Sequence, residues 1–274
     1  MGYKQRIFSF LAISFIWADT SAQNLELGLM GGGAGYIGDL NQTNNFKLSG
    51  IAAGAFVKLN LDPYWALGLH YNFGKIKGDD LDSDNEQFRN RGLNFSTALN
   101  EVTVQVDFNF LEYFAGGGPK QITPYLYTGL GGVFFSPRAT YVHPETDRAE
   151  TFRLRFYRTE GQSQPYRNYA LTVPYGAGVK VRLKENWGLF SQIGYRTAYT
   201  DYLDDVGNRY ADPANWPADD SIQLRATRNL LSNPSGSADG LPGRQRGDFR
   251  KRDTYMFVGI GISYTFVSQK CYTF

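Results

Sequence analysis

The chain has 274 residues with a formal net charge of +2, 20% charged residues, 31 glycines, 19 tyrosines, 20 phenylalanines, two histidines and one cysteine. That length suits one or two domains, and so small a net charge gives no global case for nucleic acid. A single cysteine excludes a disulfide framework and a cysteine-based zinc site, and two histidines leave little for histidine chemistry.

The N-terminus carries an address. Lys4 and Arg6 precede an uncharged, mostly apolar stretch over 7–17, and Thr20, Ser21 and Ala22 supply small residues for a signal peptidase. The apolar stretch is too short to span a membrane, so 1–23 reads as a cleaved signal peptide. No cysteine follows it, which argues against lipoprotein processing. The mature chain is expected to form an outer-membrane β-barrel over 24–267 and a periplasmic tail over 268–274.

The repeating signal in the mature chain has period two, the mark of strands whose side chains alternate between two faces. It predicts eight strands near 24–36, 46–61, 64–75, 98–113, 122–136, 170–184, 186–200 and 253–267. In strand one, Gly33, Gly35 and Gly38 match a dinucleotide-binding spacing, but no helical pattern follows, so the glycines read as close backbone approaches. Strand two sets Ile51, Ala53, Ala55, Val57 and Leu59 against Gly50, Ala52, Gly54, Phe56 and Lys58. Asp62 and Pro63 form a short turn to strand three, which carries His70 on its polar face. The acidic run Asp80, Asp82, Asp84 and Glu86 begins like a calcium loop, yet Asn85 and Arg91 stand where that loop needs Gly and Glu. A solvated acidic loop is the expectation. Strand four, Val102, Val104, Val106 and Phe108 against Thr103, Gln105 and Asp107, alternates most cleanly.

A Gly116-Gly117-Gly118 turn leads into strand five, and Glu185 sits at the turn between strands six and seven. The other connections, 37–45, 76–97, 137–169 and 201–252, are long. Short turns at one end and long loops at the other mark an eight-stranded antiparallel transmembrane barrel of the outer-membrane type, loops outward. The aromatics Trp65, Tyr113, Phe114, Trp187, Tyr264 and Phe266 stand at strand ends, as interfacial girdles do. A secreted sandwich or lipocalin-like barrel is the competing fold.

A Lys or Arg facing lipid at mid-membrane costs about 2–4 kcal/mol. Glu26, Lys58, His70, Glu101, Asp107, Lys180, Arg182 and Arg196 all fall on the polar parity and are therefore expected inside. Eight strands leave an interior that side chains fill, so these groups should pair into a closed polar network. In the last long loop, Asp201, Asp204 and Asp205 form a second acidic group. Beyond them Arg244, Arg246, Arg250, Lys251 and Arg252 crowd the entry to strand eight and suit contact with lipopolysaccharide phosphates; a solvated loop is the alternative. His70 and His143 have no local nucleophile, and no catalytic residue, metal or cofactor is expected. Cys271 in the tail is either a free thiol or half of an intermolecular bond.

Two stretches are less generic. Residues 27–42 (LGLMGGGAGYIGDLNQ) and 200–210 (TDYLDDVGNRY) resemble the PorG-like outer-membrane barrels of the type IX secretion system of Bacteroidetes. The resemblance implies a non-enzymatic barrel associated with a periplasmic ring of a PorK-like lipoprotein and a PorN-like protein. That machinery exports proteins bearing a C-terminal signal and, in gliding species, surface adhesins. On this reading the turn with Gly116, Gly117, Gly118 and Lys120, together with Cys271, is the candidate docking surface. A stand-alone OmpA-like envelope barrel, touching lipopolysaccharide, membrane lipid or external ligands through its loops, is the alternative.

Overall fold

Alternating sequence closes into a barrel here. The computed structural model describes residues 24–267 except 43, 114–118, 144, 185, 218, 219 and 249. The expected signal peptide, the tail with Cys271, and Gly116, Gly117 and Gly118 lie outside the described residues. The strands are β1 (Asn24–Ile37), β2 (Leu48–Asn60), β3 (Trp65–Asp79), β4 (Asn94–Asn109), β5 (Ile122–His143), β6 (Arg148–Arg153), β7 (Tyr169–Lys184), β8 (Trp187–Ala198) and β9 (Thr254–Phe266). All but β6 form the barrel: each pairs antiparallel with its neighbours, β4 pairs β5, and β9 pairs β1 to close the ring. β6 folds back on the outer end of β5 as a short hairpin. The loops hold two helices, α1 (Glu86–Arg91) and α2 (Ile222–Ser232).

Three strands reach further outward than alternation alone suggests. β3 continues through Lys75 and Lys77 to Asp79, β4 starts already at Asn94, and β5 runs on to His143. The expected loops 76–97 and 137–169 are shorter by those amounts. Past the lipid both sheet faces meet water or loops, so nothing there enforces an apolar outer face.

The outer surface carries an apolar belt. Leu29, Ile51, Leu69, Leu130 and Ile260 are each more than half exposed, at parities opposite to the lumen residues. In water this would be one continuous apolar band; against acyl chains it is the expected surface. At the turn end, Trp65 meets Phe108 with ring centroids 4.8 Å apart and Trp187 meets Tyr264 at 5.0 Å. At the loop end, Phe134 and Tyr169 form a matching pair at 6.3 Å. These are two aromatic girdles around one belt, but Tyr113, expected among them, is buried with its hydroxyl near Gly188. No described helix is long and apolar enough to cross a membrane.

Glycines on the inner face make room for rings from other strands. A side chain at Gly28 would run into the Phe56 ring, and one at Gly194 into the Tyr127 hydroxyl. Of the glycines with the dinucleotide-like spacing, a side chain at Gly35 would meet the Lys47 carbonyl and one at Gly38 the Tyr36 hydroxyl, so both sit at close approaches.

Candidate functional site

The lumen is filled in layers. Toward the turn end, Glu26 accepts a hydrogen bond from Asn60 Nδ2 at 3.1 Å, and Arg182 is half-buried nearby on the same face. Above it, Asp107 Oδ2 receives Lys58 Nζ at 2.7 Å and Lys180 Nζ at 2.8 Å, and Lys180 also reaches Asn109 Oδ1 at 3.1 Å. Each ammonium also lies against a ring, Lys58 4.1 Å from Phe56 and Lys180 4.4 Å from Tyr125. His70 is buried beside Phe56, the centroids 5.2 Å apart.

Further outward, Glu101 is fully buried and accepts from Asn72 Nδ2 at 2.9 Å and from the Tyr255 hydroxyl at 2.5 Å. Arg196 Nε lies 3.6 Å from Glu101 Oε2, too long for a hydrogen bond but close enough for charge balance. Its Nη1 donates to the Gly194 carbonyl at 2.5 Å, and its guanidinium sits 4.6 Å from the Phe257 centroid. Of the eight expected interior residues, Glu26, Lys58, His70, Glu101, Asp107, Lys180 and Arg196 are buried, and Arg182 is half-buried at the same parity. Sequence reading missed their aromatic partners, Tyr125, Tyr127 and Tyr255, because an aromatic at either parity satisfies an alternating pattern.

The loop end is stoppered. Leu203 and Val206 from the β8–β9 loop are buried, and Leu203 packs with Ala34, Tyr36, Ile76, Leu99, Phe135 and Phe257. Thr97 Oγ1 donates to the Leu203 carbonyl at 2.6 Å, while the Leu203 amide donates to Asp253 Oδ2 at 2.9 Å. Tyr36 donates to Asp204. The two stretches that carry the family resemblance thus meet in one plug.

Two buried arginines tie the loops over that plug. Arg91 of α1 forks onto Asp80 with two contacts of 2.7 Å and reaches the carbonyls of Asp39 and Arg246. Arg246 donates to Glu160 Oε1 at 3.1 Å, the Asp205 carbonyl at 2.6 Å and the Ser232 carbonyl at 3.3 Å. Asp205 also accepts from Thr159 at 2.5 Å and from Tyr166 at 2.6 Å, and Tyr166 stacks on Tyr202 at 4.5 Å. In the acidic run after β3, Asp80 is buried on Arg91, which departs from a wholly solvated loop, whereas Asp82 is exposed and pairs with Lys47 at 3.1 Å.

This corrects the reading of the arginine cluster. Arg246 is 3% exposed and cannot reach lipid; it is a structural tie, because Glu160 and Asp205 lie buried around it. Arg250 is paired with Asp248 at 2.6 Å, and Arg244 donates to the Ala238 carbonyl at 3.2 Å. Lys251 and Arg252 stay exposed, Arg252 lying 4.1 Å over the Tyr199 ring. Lys120 is exposed at the turn end, bridged to Tyr113.

Asp39, Asp201 and Asp253 each bring a carboxylate oxygen within 4.8 Å of the others, a spacing compatible with an oxygen-ligated cation. Burial also drives these groups toward protonation. It raises Asp39 to about 7, helped by the charges of Asp248 and Glu160, and raises Asp201 to about 7, helped by Asp39, Asp248 and Glu160. Burial lifts Asp253 and Asp204 in the same direction.

The sign of the pH dependence follows. A carboxyl whose folded value lies above its unfolded 3.8 binds more protons when folded, so stability falls as pH rises from about 4 through 7. The stopper is expected to loosen at alkaline pH, with proteolysis of 199–253 faster at pH 8 than at pH 5. Asp201→Asn should flatten that difference and stabilise the plug at pH 8 by about 1 kcal/mol, since solvent screens this half-buried group. Equal proteolysis at both pH values in the unsubstituted protein would overturn the assignment.

A cleft of about 600 Å³ opens on the outermost surface between α2 and the segments beside it, lined by Pro213, Trp216, Leu230, Asn233, Pro234 and Pro242.

A family model described as a domain of unknown function (DUF6089) matches residues 5–215. The chain belongs to the DUF6089 family. The matched span runs through the stopper and ends before α2, so the cleft-bearing part of the loop lies largely beyond it. No curated protein matches. Among solved structures the chain is similar to the N-terminal barrel domain of Pseudomonas aeruginosa OprF (12% identity, 90% of this chain and 100% of that one, TM-score 0.34). It is similar also to the Yersinia pestis attachment invasion locus protein Ail (10%, 89% and 99%, 0.39). A third is a major outer membrane protein of Thermus thermophilus (13%, 88% and 99%, 0.38). The closed strand order and the apolar belt, rather than these superpositions, establish the outer-membrane type of barrel.

Proposed function

We infer that this DUF6089 protein is an integral, non-enzymatic outer-membrane component of the type IX secretion machinery, exported by a cleaved signal peptide. The supporting observation is that the two resembling stretches, far apart in sequence, fold onto each other as one buried unit through Tyr36–Asp204 and the Asp39–Asp201–Asp253 group. The similarity therefore marks one structural feature, not two unconnected motifs. A lumen filled by side chains leaves the surfaces as working parts. In this reading the turn end, with Lys120 and the tail bearing Cys271, meets the PorK-like lipoprotein and the PorN-like ring protein, and a Cys271 disulfide reinforces the contact. Deleting the gene is expected to leave cargo with C-terminal signals trapped in the periplasm, and affinity purification from solubilised membranes should return the ring proteins. Normal secretion in the deletion strain would sink the proposal.

A second reading, the stand-alone envelope barrel, is favoured by the outer cleft. Its volume falls within the range of small-molecule sites, about 300–1,000 Å³, and it lies in the long β8–β9 connection.

A further inference from the structure

We propose that a row of outward-facing cations on β3, β5 and β6 holds the phosphates of an outer-leaflet glycolipid of the lipid A type. The row is fixed by register: Lys77 pairs with Ser96, Ser96 with Arg138, and Arg138 with Arg153. Ser49 extends it, its hydroxyl accepting the Lys77 amide at 3.0 Å. Adjacent strands lie about 4.8 Å apart, so Arg138 and Arg153 are direct neighbours and Lys77 stands about 10 Å from Arg138. Lys77, Arg138 and Arg153 are exposed on the outer face, with Lys75 one pleat below Lys77.

Height along the barrel places the row at headgroups. Two pleats toward the membrane lies the register row Phe73, Asn100, Phe134 and Tyr169, the loop-end aromatic girdle. Arg167 closes the flank, its guanidinium 5.9 Å from the Tyr169 ring. Below that the belt is apolar. A cation row just above a lipid belt meets whatever charge the outer leaflet carries.

The charges are not balanced within the protein. Among the described residues no carboxylate forms an ion pair with Lys75, Lys77, Arg138 or Arg153. Asp79, one pleat above Lys77, is engaged in capping the Leu81 amide at 2.9 Å, and Glu150 is near His143, 3.5 Å away, on the opposite face of the hairpin. Like charges directly across a strand pair are unfavourable on their own. Two arginine forks and an ammonium, with the Ser96 hydroxyl between Lys77 and Arg138, suit doubly charged phosphate monoesters. The arrangement rests on the outer-membrane reading and names the lipid at its outer rim.

The test uses the full mature protein refolded into nanodiscs, titrated with bisphosphorylated lipid A and with lipid A stripped of both phosphates. Lys77→Gln/Arg138→Gln/Arg153→Gln should weaken binding of the phosphorylated lipid at least tenfold. Lys184→Gln, at the turn end, removes charge elsewhere and should leave binding unchanged. Unaltered affinity in the triple variant, or equal binding of the stripped lipid, overturns the proposal. Competition by millimolar inorganic phosphate alone would point to a free-anion site and also overturn it. All four positions are exposed, and heat-modifiable migration verifies folding; if the triple variant fails that check, single Arg153→Gln carries the same expectation at a smaller fold-change. Cell fractionation separates the two levels: a barrel absent from the outer membrane defeats the localisation, whereas a correctly placed barrel with unchanged lipid A affinity defeats only this site.

Discussion

Replacing Asp107 with leucine is expected to destabilise the barrel by about 3–5 kcal/mol, the cost of breaking a buried ion group from one side. Asp107 is the only carboxylate in ion-pair contact with Lys58 and Lys180 among the described residues, and all three side chains are sealed from solvent. Its loss leaves two ammoniums facing each other across the lumen with only Asn109 Oδ1 and two ring faces as partners. The measurement is the temperature at which the folded band on an unheated gel gives way to the unfolded one, supported by urea titration in vesicles. The triple variant Asp107→Leu/Lys58→Met/Lys180→Met removes every charge and should recover most of the loss, because the apolar isostere of a buried ion group is often no less stable. If the single variant melts like the parent, the network contributes nothing and the lumen is held by packing alone.

Arg246→Met should produce a loss of similar size confined to the cap. The guanidinium satisfies Glu160, the Asp205 carbonyl and the Ser232 carbonyl together, and removing it leaves two buried carboxylates without this cation, held only by neutral donors such as Thr159, Tyr166 and the Gly207 and Asn208 amides. The strands below share none of those contacts, so the folded band should persist while protease cuts within 199–253 at least tenfold faster. Adding Glu160→Gln and Asp205→Asn should slow cleavage again. Cleavage unchanged in Arg246→Met would mean that the loops are held by the Leu203 plug and Arg91 alone.

The membrane-embedded part of the fold is legible because lipid enforces one rule on every residue of a strand. β4 shows it plainly: an apolar residue at each outward position from Val102 to Phe108, a polar one between. Where that enforcement stops, so does the signal. Lys75 and Lys77 interrupt the apolar parity of β3 although the strand runs straight through them, and β6 offers only Phe152 as a buried residue. The stopper is harder still. Asp204 and Asp205 have the composition of a solvated loop, and only their distant partners, Tyr36, Thr159, Tyr166 and Arg246, make burial tolerable. Arg246 shows the same limit. Within its own segment it is one basic residue among five, and the Glu160 that draws it inside lies in another loop. Parity predicts which side of the sheet Lys58 and Asp107 take, whereas their pairing depends on how the eight strands are wound.

The seam between β1 and β9 sets the order of events in assembly. Thirteen register pairs join the first strand of the barrel to the last, from Leu25 against Phe266 to Ile37 against Thr254. Until the final strand has left the ribosome and crossed the inner membrane, β1 has an unsatisfied edge, which hydrocarbon does not tolerate. The chain therefore cannot insert piecemeal from its N-terminus. Closure needs both ends of the barrel sequence at once, through the contact with the greatest separation along the chain.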